Sequence, residues 1–262
     1  MAIELKDMIE KLVSDPYERQ ARLYPALLAF SPIFIMVTSF YHDKLNVVNS
    51  AVVLLIMSGL IVLISNISRT IGRSVESKLW TEWGGMPSVV ILRHKDSYIN
   101  SVEKKRYHVF LEKKLRLVFP SQSIEDSNLE EADSIYKAAS NYLRTHTRDT
   151  EKFKLLFKEN IAYGFRRNSY GIRLVGMLCS VLVVFWIFIR KNYSVWSERL
   201  AVSTDPESFF TQAEILSLSW AIIMFLVWVF YFNKSVVREA AFCYANQLIM
   251  TCDLLEKESG DD

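Results

Sequence analysis

Cysteine is scarce in this 262-residue chain: Cys179, Cys243 and Cys252 are an odd number with no C-x-x-C spacing, which excludes a disulfide framework. Cys179 lies inside an apolar block and reads as a packing residue. Only eight glycines and six prolines are present, which excludes collagen-like and low-complexity classes. An aromatic content of 13% excludes a disordered chain, and no heptad run is sustained. The segment Met1 to Arg22 mixes acids and bases and has no small-residue cleavage site, so no secretory leader is expected. There is no internal repeat beyond two apolar hairpins.

What is present is unevenly distributed. The totals, 51% hydrophobic, 23% charged and a net charge of +2, resemble a soluble domain, for which ~45–50% apolar and ~25% charged are usual. They average two unlike parts. Four blocks, Leu23–Tyr41, Val47–Ile67, Ile172–Ile189 and Ile215–Phe232, are long enough to cross a bilayer. They carry no charge except Arg173, at the edge of the third, where its side chain can reach the headgroups. The first two are joined by the short link His42–Asn46. The last two are joined by Arg190–Glu214, whose Tyr193, Trp196, Phe209 and Phe210 suit an interfacial belt. Pro25 suits the start of the first span, and Pro32 is expected to kink it.

Lysine and arginine orient these spans. Residues 68–171 hold 19 of the 31 basic and 13 of the 29 acidic residues, whereas the two hairpin links hold only Lys44, Arg190, Lys191 and Arg199. The positive-inside rule places both termini and the central segment in the cytoplasm. In the middle of the spans the polar residues are only serine and threonine: Ser31, Thr38, Ser39, Ser58, Ser180, Ser217 and Ser219. Ion-coupled transport needs ionisable groups near the midplane, so a solute transporter is not expected. A pore made by several copies stays open.

The central segment reads as helical. The second span can continue through Arg69, Arg73 and Glu76 to Trp80, and Trp83-Gly84-Gly85-Met86-Pro87 breaks it. Ser88–Leu92 reads as a short strand or a buried turn. Asn100-Ser-Val-Glu103 and Ser127-Asn-Leu-Glu130 read as capping boxes for helices ending near Val118 and Thr145. A third helix, capped by Asp149 or Thr150, runs with Phe153, Leu156, Phe157 and Ile161 at helical spacing into the third span. After Phe232 the tail keeps helical period and ends in acids.

Four polar clusters carry the candidate chemistry: Arg93–Asp96, Lys104–His108, Arg144–Asp149 and Glu159–Asn168. Arg93, Arg106, Arg144 and Arg148 offer planar forks for phosphate or carboxylate, and Thr147 and Asn160 add neutral donors. These six form the expected anionic-ligand set, beside an alternative in which Arg144, Arg148, Asp96, Asp149 and Glu159 are ion-paired structural residues that fix loops. Arg69, Arg73, Arg166, Arg167 and Arg173 lie within a turn or two of a span and are expected at the membrane interface, on lipid phosphate. No metal spacing such as H-E-x-x-H and no nucleophile or phosphate-loop motif occurs, so no metal and no cofactor are expected. The central segment, about +6, lacks a nucleic-acid-binding module, and a nucleic-acid partner is not expected.

The run Trp80-x-x-Trp83-Gly-Gly-x-Pro87, then Leu92-Arg-His94, Thr147-Arg-Asp149 and Glu159-Asn-x-x-Tyr163-Gly-Phe-Arg-Arg-Asn168, resembles an uncharacterised group of small multi-span bacterial membrane proteins associated with anti-phage defence neighbourhoods. The resemblance covers about 90 residues and the flanking spans. It implies a bacterial inner membrane and a role like that of membrane effectors in antiviral defence, with no known reaction.

The expected fold is an all-α membrane protein of four transmembrane helices, in two hairpins, with a mainly helical domain inserted between spans two and three. Its segments are an N-terminal helix (1–22), a hairpin (23–67), the inserted domain (68–171), a second hairpin (172–232) and a C-terminal helix with an acidic tail (233–262). The expected function is sensing of an anionic ligand, a nucleotide among the candidates, or of a soluble protein partner, with action on the bilayer as a homo-oligomer. Two alternatives stand beside it. One is a membrane-tethered phosphoester hydrolase using His94, Asp96, His108, His146 and Asp149; the other is a scaffold for a soluble enzyme.

Overall fold

Apolar runs without glycine or proline breaks propagate as helix, and the computed structural model is helical with no strand among the residues it describes, 10, 14–41, 47–191, 193–202 and 209–260. Helix α1 runs over Glu18–Tyr41, α2 over Val47–Glu82, α3 over Pro87–Val90 and α4 over Ser101–Leu115. Then come α5 (Gln122–Ser127), α6 (Leu129–His146), α7 (Lys154–Ile189) and α8 (Tyr193–Val202). Helix α9 covers Gln212–Tyr231 and α10 covers Lys234–Gly260. Helices α1, α7 and α9 are long and apolar enough to cross a membrane. The second apolar block forms the first part of α2. The link His42–Asn46, most of residues 1–13 and the last two acids lie outside the described residues, as do most side chains of 47–61.

The chain divides into two compact units: residues 1–74 with 164–236, and residues 75–163 with 237–262. In the first, small residues let helices approach. Ala21, Ala26 and Ala29 of α1 are buried, and Ala29 packs with Ile172, Met224, Trp228 and Phe232. Val183, Ile187 and Ala221 form a further cluster with Ile33, Met36 and Phe40. Pro32 sits buried inside α1, which continues past it. The Trp220 indole donates to Ser31 Oγ at 3.0 Å, and Ser31 donates to the Leu28 carbonyl, so these two side chains are satisfied within the bundle.

The second unit is built on α6 and α10. Helix α6 buries Ala132, Tyr136, Ala139, Ser140 and Leu143, one stripe at helical period. It meets Tyr107, Phe110 and Leu111 of α4 and Phe242, Ala245, Leu248, Ile249 and Cys252 of α10 in a single core. The C-terminal helix, drawn as a separate segment on sequence, thus supplies part of the same core as residues 89–156.

Local details differ from the sequence reading where packing overrides pattern. Of the two readings of Ser88–Leu92 the structure has the buried turn and not the strand: Pro87 opens the one-turn helix α3, Ile91 and Leu92 follow as a turn, and Val89, Val90, Ile91 and Leu92 are all buried. Asn100 caps α4 as expected, accepting from the Val102 amide at 2.9 Å, but the helix ends at Leu115. Arg116 turns left-handed (φ 54°), which lets Phe119 and Pro120 bury while Val118 is left outside. The second capping box is shifted by one residue. Asn128 accepts from the Glu131 amide and donates back to its carboxylate, and Ser127 closes the unexpected helix α5, which Ser121 caps. The Gly-Gly break is as read: Gly84 and Gly85 have φ of 80° and 143°, values that side-chain-bearing residues avoid. Asp149 caps the turn leading into α7 through the Glu151 and Lys152 amides.

Candidate functional site

The first two polar clusters converge on one cavity. Residues 93–97 form the turn after α3, and α4 begins a few residues later, so His94, Lys95, Asp96 and Ser97 face Asn100, Ser101, Lys104, Lys105 and His108 across a pocket of about 580 Å³. Lys104 and His108 are four residues apart and therefore share a face of α4. Both are buried. The Lys104 ammonium donates to the carbonyls of Arg93 (2.6 Å) and Asp96 (2.5 Å), tying α4 to the turn. Burial lowers the Lys104 pKa from its ordinary value.

The two imidazoles meet edge to face, with centroids 5.2 Å apart. His94 Nε2 is 2.9 Å from the Pro120 carbonyl and His108 Nε2 is 2.8 Å from the Leu92 carbonyl. A carbonyl only accepts, so Nε2 carries the proton in both rings. Behind the pair sits Glu125, buried and accepting from the His94 amide (2.9 Å), the Lys95 amide (3.4 Å) and the Tyr136 hydroxyl (2.8 Å). Burial together with the Glu125 carboxyl raises the Tyr136 pKa. The floor of the pocket is thus a fully bonded polar network rather than a set of loose side chains.

Burial pushes the His108 pKa down to about 4, against the ordinary 6.5. A histidine that binds its proton less well when folded stabilises the fold fully above the ordinary value, and loses that contribution as pH falls from about 6.5 toward about 4. The span of that shift is worth about 3 kcal/mol. Thermal unfolding of the detergent-solubilised chain is expected at markedly lower temperature at pH 4.5 than at pH 7.5. The difference shrinks in His108→Gln, which keeps a donor for Leu92 and has no proton to bind; an unchanged pH dependence in that variant counts against this account.

The arginines expected to hold a ligand are placed differently. Arg93 makes a two-point contact with Asp133 (2.8 and 2.6 Å) and donates to the Gly84 carbonyl, so its fork is spent on clamping the Gly-Gly turn to α6. Arg144 also reaches that turn, with Nη2 2.7 Å from the Met86 sulfur and a buried Nε that has no hydrogen-bond partner among the described residues. Arg106 pairs with Asp253 of α10 at 2.7 Å. Thr147 donates to the Leu143 carbonyl. Arg148 is exposed and Asn160 half-buried on α7. None of the six lines the pocket: Arg93 and Arg106 are ion-paired with Asp133 and Asp253, Thr147 bonds back to α6, and the pocket's cations are lysines instead. His146 stacks on Tyr142 and Asp149 caps a turn, so of the hydrolase set only His94, Asp96 and His108 come together. Among the described residues no three histidine, cysteine, aspartate or glutamate side chains are grouped to hold a metal.

Of the interface arginines, Arg73 is exposed and Arg69 and Arg166 are half-buried. Arg173 lies over the Tyr170 ring, 4.8 Å from its centroid. Arg167 is the exception: it is buried and donates to Asn168 Oδ1 at 3.2 Å, turned inward rather than toward a headgroup layer.

Sequence reasoning missed Glu125, which sits in the polar stretch 121–131 with nothing to mark it as interior. The i, i+4 spacing of Lys104 and His108 was the available signal for the pocket. The fold and site define a class: a chain whose described residues are helical without strands, with three helices among them long and apolar enough to cross a membrane and a lysine- and histidine-lined pocket in its second unit. No family model, curated protein or solved structure matches the chain.

Proposed function

We propose that this is a four-span protein of the bacterial inner membrane, with both termini and the second unit in the cytoplasm, that binds a small anionic ligand in the His94–Lys104–His108 pocket and acts on the bilayer as a homo-oligomer. The observation that carries the ligand reading is the pocket itself. Lys95, Lys104 and Lys105 outnumber its single acid, Asp96, and Ser97 and Ser101 add hydroxyl donors. The first turn of the 15-residue helix α4 supplies amide donors and a positive dipole end beside them. Lys104 and the histidine pair are locked by backbone carbonyls, so the walls are set before a ligand arrives. Lys105 is exposed and is the cation best placed to meet one.

The membrane reading rests on α1, α7 and α9, on the apolar block at the start of α2, and on the 19 basic residues gathered in 68–171. Helices α2 and α7 each run without interruption from the first unit into the second, which makes them the covalent route from pocket to spans. The resemblance to defence-associated membrane proteins makes permeabilisation the output to measure.

Purified chain in detergent is expected to be stabilised by inorganic phosphate, a cyclic nucleotide or a nucleoside triphosphate in a thermal-shift titration. Lys105→Glu is expected to weaken that binding by about tenfold, the size of one charge-assisted contact in a partly desolvated site. The effective anion is then expected to change dye leakage from vesicles carrying the protein. No shift with any of the three anions at millimolar concentration overturns the ligand reading. Leakage that ignores the bound anion overturns the coupling.

A further inference from the structure

At the ends of α7 and α9 the structure gathers three bases on one carboxylate. Glu214, in the first turn of α9, is fully buried and accepts from Arg190 (3.0 Å), Lys191 (3.1 Å) and Arg199 (2.8 Å). It also accepts from the Thr211 amide (2.9 Å) in a reciprocal capping box. Both carboxylate oxygens are therefore occupied, and two of the three positive charges stay uncompensated among the described residues. The side chains of Arg190, Lys191 and Arg199 are 26%, 21% and 19% exposed. They are half-dry yet open on one side, and Lys191 retains two ammonium protons beyond its contact with Glu214. Aromatic rings hold them from behind. Arg190 lies over Phe40 (4.1 Å to the centroid) and Trp186, and Lys191 and Arg199 both lie over Trp196.

We propose that Arg190, Lys191 and Arg199 form a phosphate site that takes the headgroup of an anionic phospholipid. The inference rests on the membrane reading of α7 and α9 but not on the pocket. Arg190 directly follows the last residue of α7 and Glu214 sits at the start of α9, so the cluster lies at headgroup height if those helices span, where cations and aromatic rings are both favoured. A surplus of charge at the edge of a low-dielectric layer draws a counter-ion more strongly than in water. A lipid rather than a free phosphate is the occupant because α8 presents apolar side chains beside the bases: Leu200 and Val202 are 71% and 82% exposed, a surface that acyl chains cover and water does not.

The test is native mass spectrometry of the full chain released from nanodiscs of equal phosphatidylglycerol and phosphatidylcholine. Wild type is expected to retain phosphatidylglycerol preferentially. Lys191→Gln, which leaves both arginine contacts to Glu214 in place, is expected to cut that preference about fivefold, the equivalent of about 1 kcal/mol for one base at an anionic surface. Lys137→Glu, at an exposed position of α6, is expected to leave it unchanged. Equal retention of the two lipids by wild type overturns the proposal, as it would if Asp205 and Glu207, which lie outside the described residues, supplied the counter-charge. So does a Lys191→Gln preference equal to wild type. Loss of preference on adding soluble glycerol phosphate assigns the site to free phosphate and also overturns it. A chain that never enters nanodiscs instead removes the membrane reading on which the inference stands.

Discussion

Gly171→Leu is expected to damage the first unit severely, costing at least about 3 kcal/mol, the upper part of the range for forcing bulk into a closed interface. Helices α2 and α7 touch backbone to backbone at this point. A Cβ at Gly171 would lie 3.0 Å from the Gly72 nitrogen and 3.1 Å from its Cα, and one at Gly72 would lie 3.2 Å from the Asn168 Cα. Neither neighbour is a flexible side-chain end that can swing away, so the helices must separate. Separation also breaks the polar bond that holds α1 there, because Asn168 Nδ2 donates to the Ala21 carbonyl at 2.7 Å. Small residues at helix crossings serve this purpose inside membranes, where close backbone approach replaces the hydrophobic effect as the source of association. The measurement is the thermal midpoint and monodispersity of the full chain in mild detergent. Gly59→Ala is the control: among the described residues a Cβ there meets nothing within 4 Å, and alanine is the better helix former, so that variant is expected to be neutral or slightly stabilised. Comparable damage from both would show that glycine content, not the crossing, is what matters.

The second large effect belongs to Glu125. Its carboxyl holds the turn at His94 and Lys95 to Tyr136 of α6, and among the described residues no other side chain bonds these three donors in its place. Glu125→Ala leaves the Tyr136 hydroxyl and the His94 amide without an acceptor. At about 1–3 kcal/mol for each unsatisfied buried group, a total of about 3–4 kcal/mol is expected. The histidine wall of the pocket should loosen with it. Amide hydrogen exchange of the full chain reads both consequences, with protection falling at residues 92–96 and along α4 well before the spans of the first unit respond. Glu125→Gln keeps an acceptor oxygen for one or two of the donors and is expected to fall between wild type and the alanine variant. Equal protection in wild type and Glu125→Ala would mean that the network does not hold the pocket.

Much of the second unit was written at the level of local pattern. Asn100, the Gly84-Gly85 break and the period of Phe153, Leu156, Phe157 and Ile161 mark their elements because each depends on neighbours within a turn or two. The misplaced cap at Ser127 and the helix end at Leu115 failed for a common reason. Two adjacent residues, Ser127 and Asn128, carry the same capping chemistry, and only the burial of Phe119 and Pro120 and the start of α6 decide between registers. For Arg93 the sequence left a ligand role and a structural role both open. A guanidinium that binds a phosphate and one that clamps a turn look alike in sequence, and Asp133, forty residues from Arg93, is what assigns it to the clamp.

By itself, then, the sequence determined the helical class, the apolar blocks that can cross a bilayer and the asymmetry of charge around them, because hydropathy and helical period are sums over contiguous residues. Only the tertiary structure decided that Lys104 and His108 face the 93–97 turn across one cavity, that Glu125 closes its floor, that α10 completes the core of α4 and α6, and that three bases share Glu214. Each of these joins residues brought together by packing of distant elements, and a side chain's chemistry is set by the burial and partners it finds there rather than by the residues beside it in the chain.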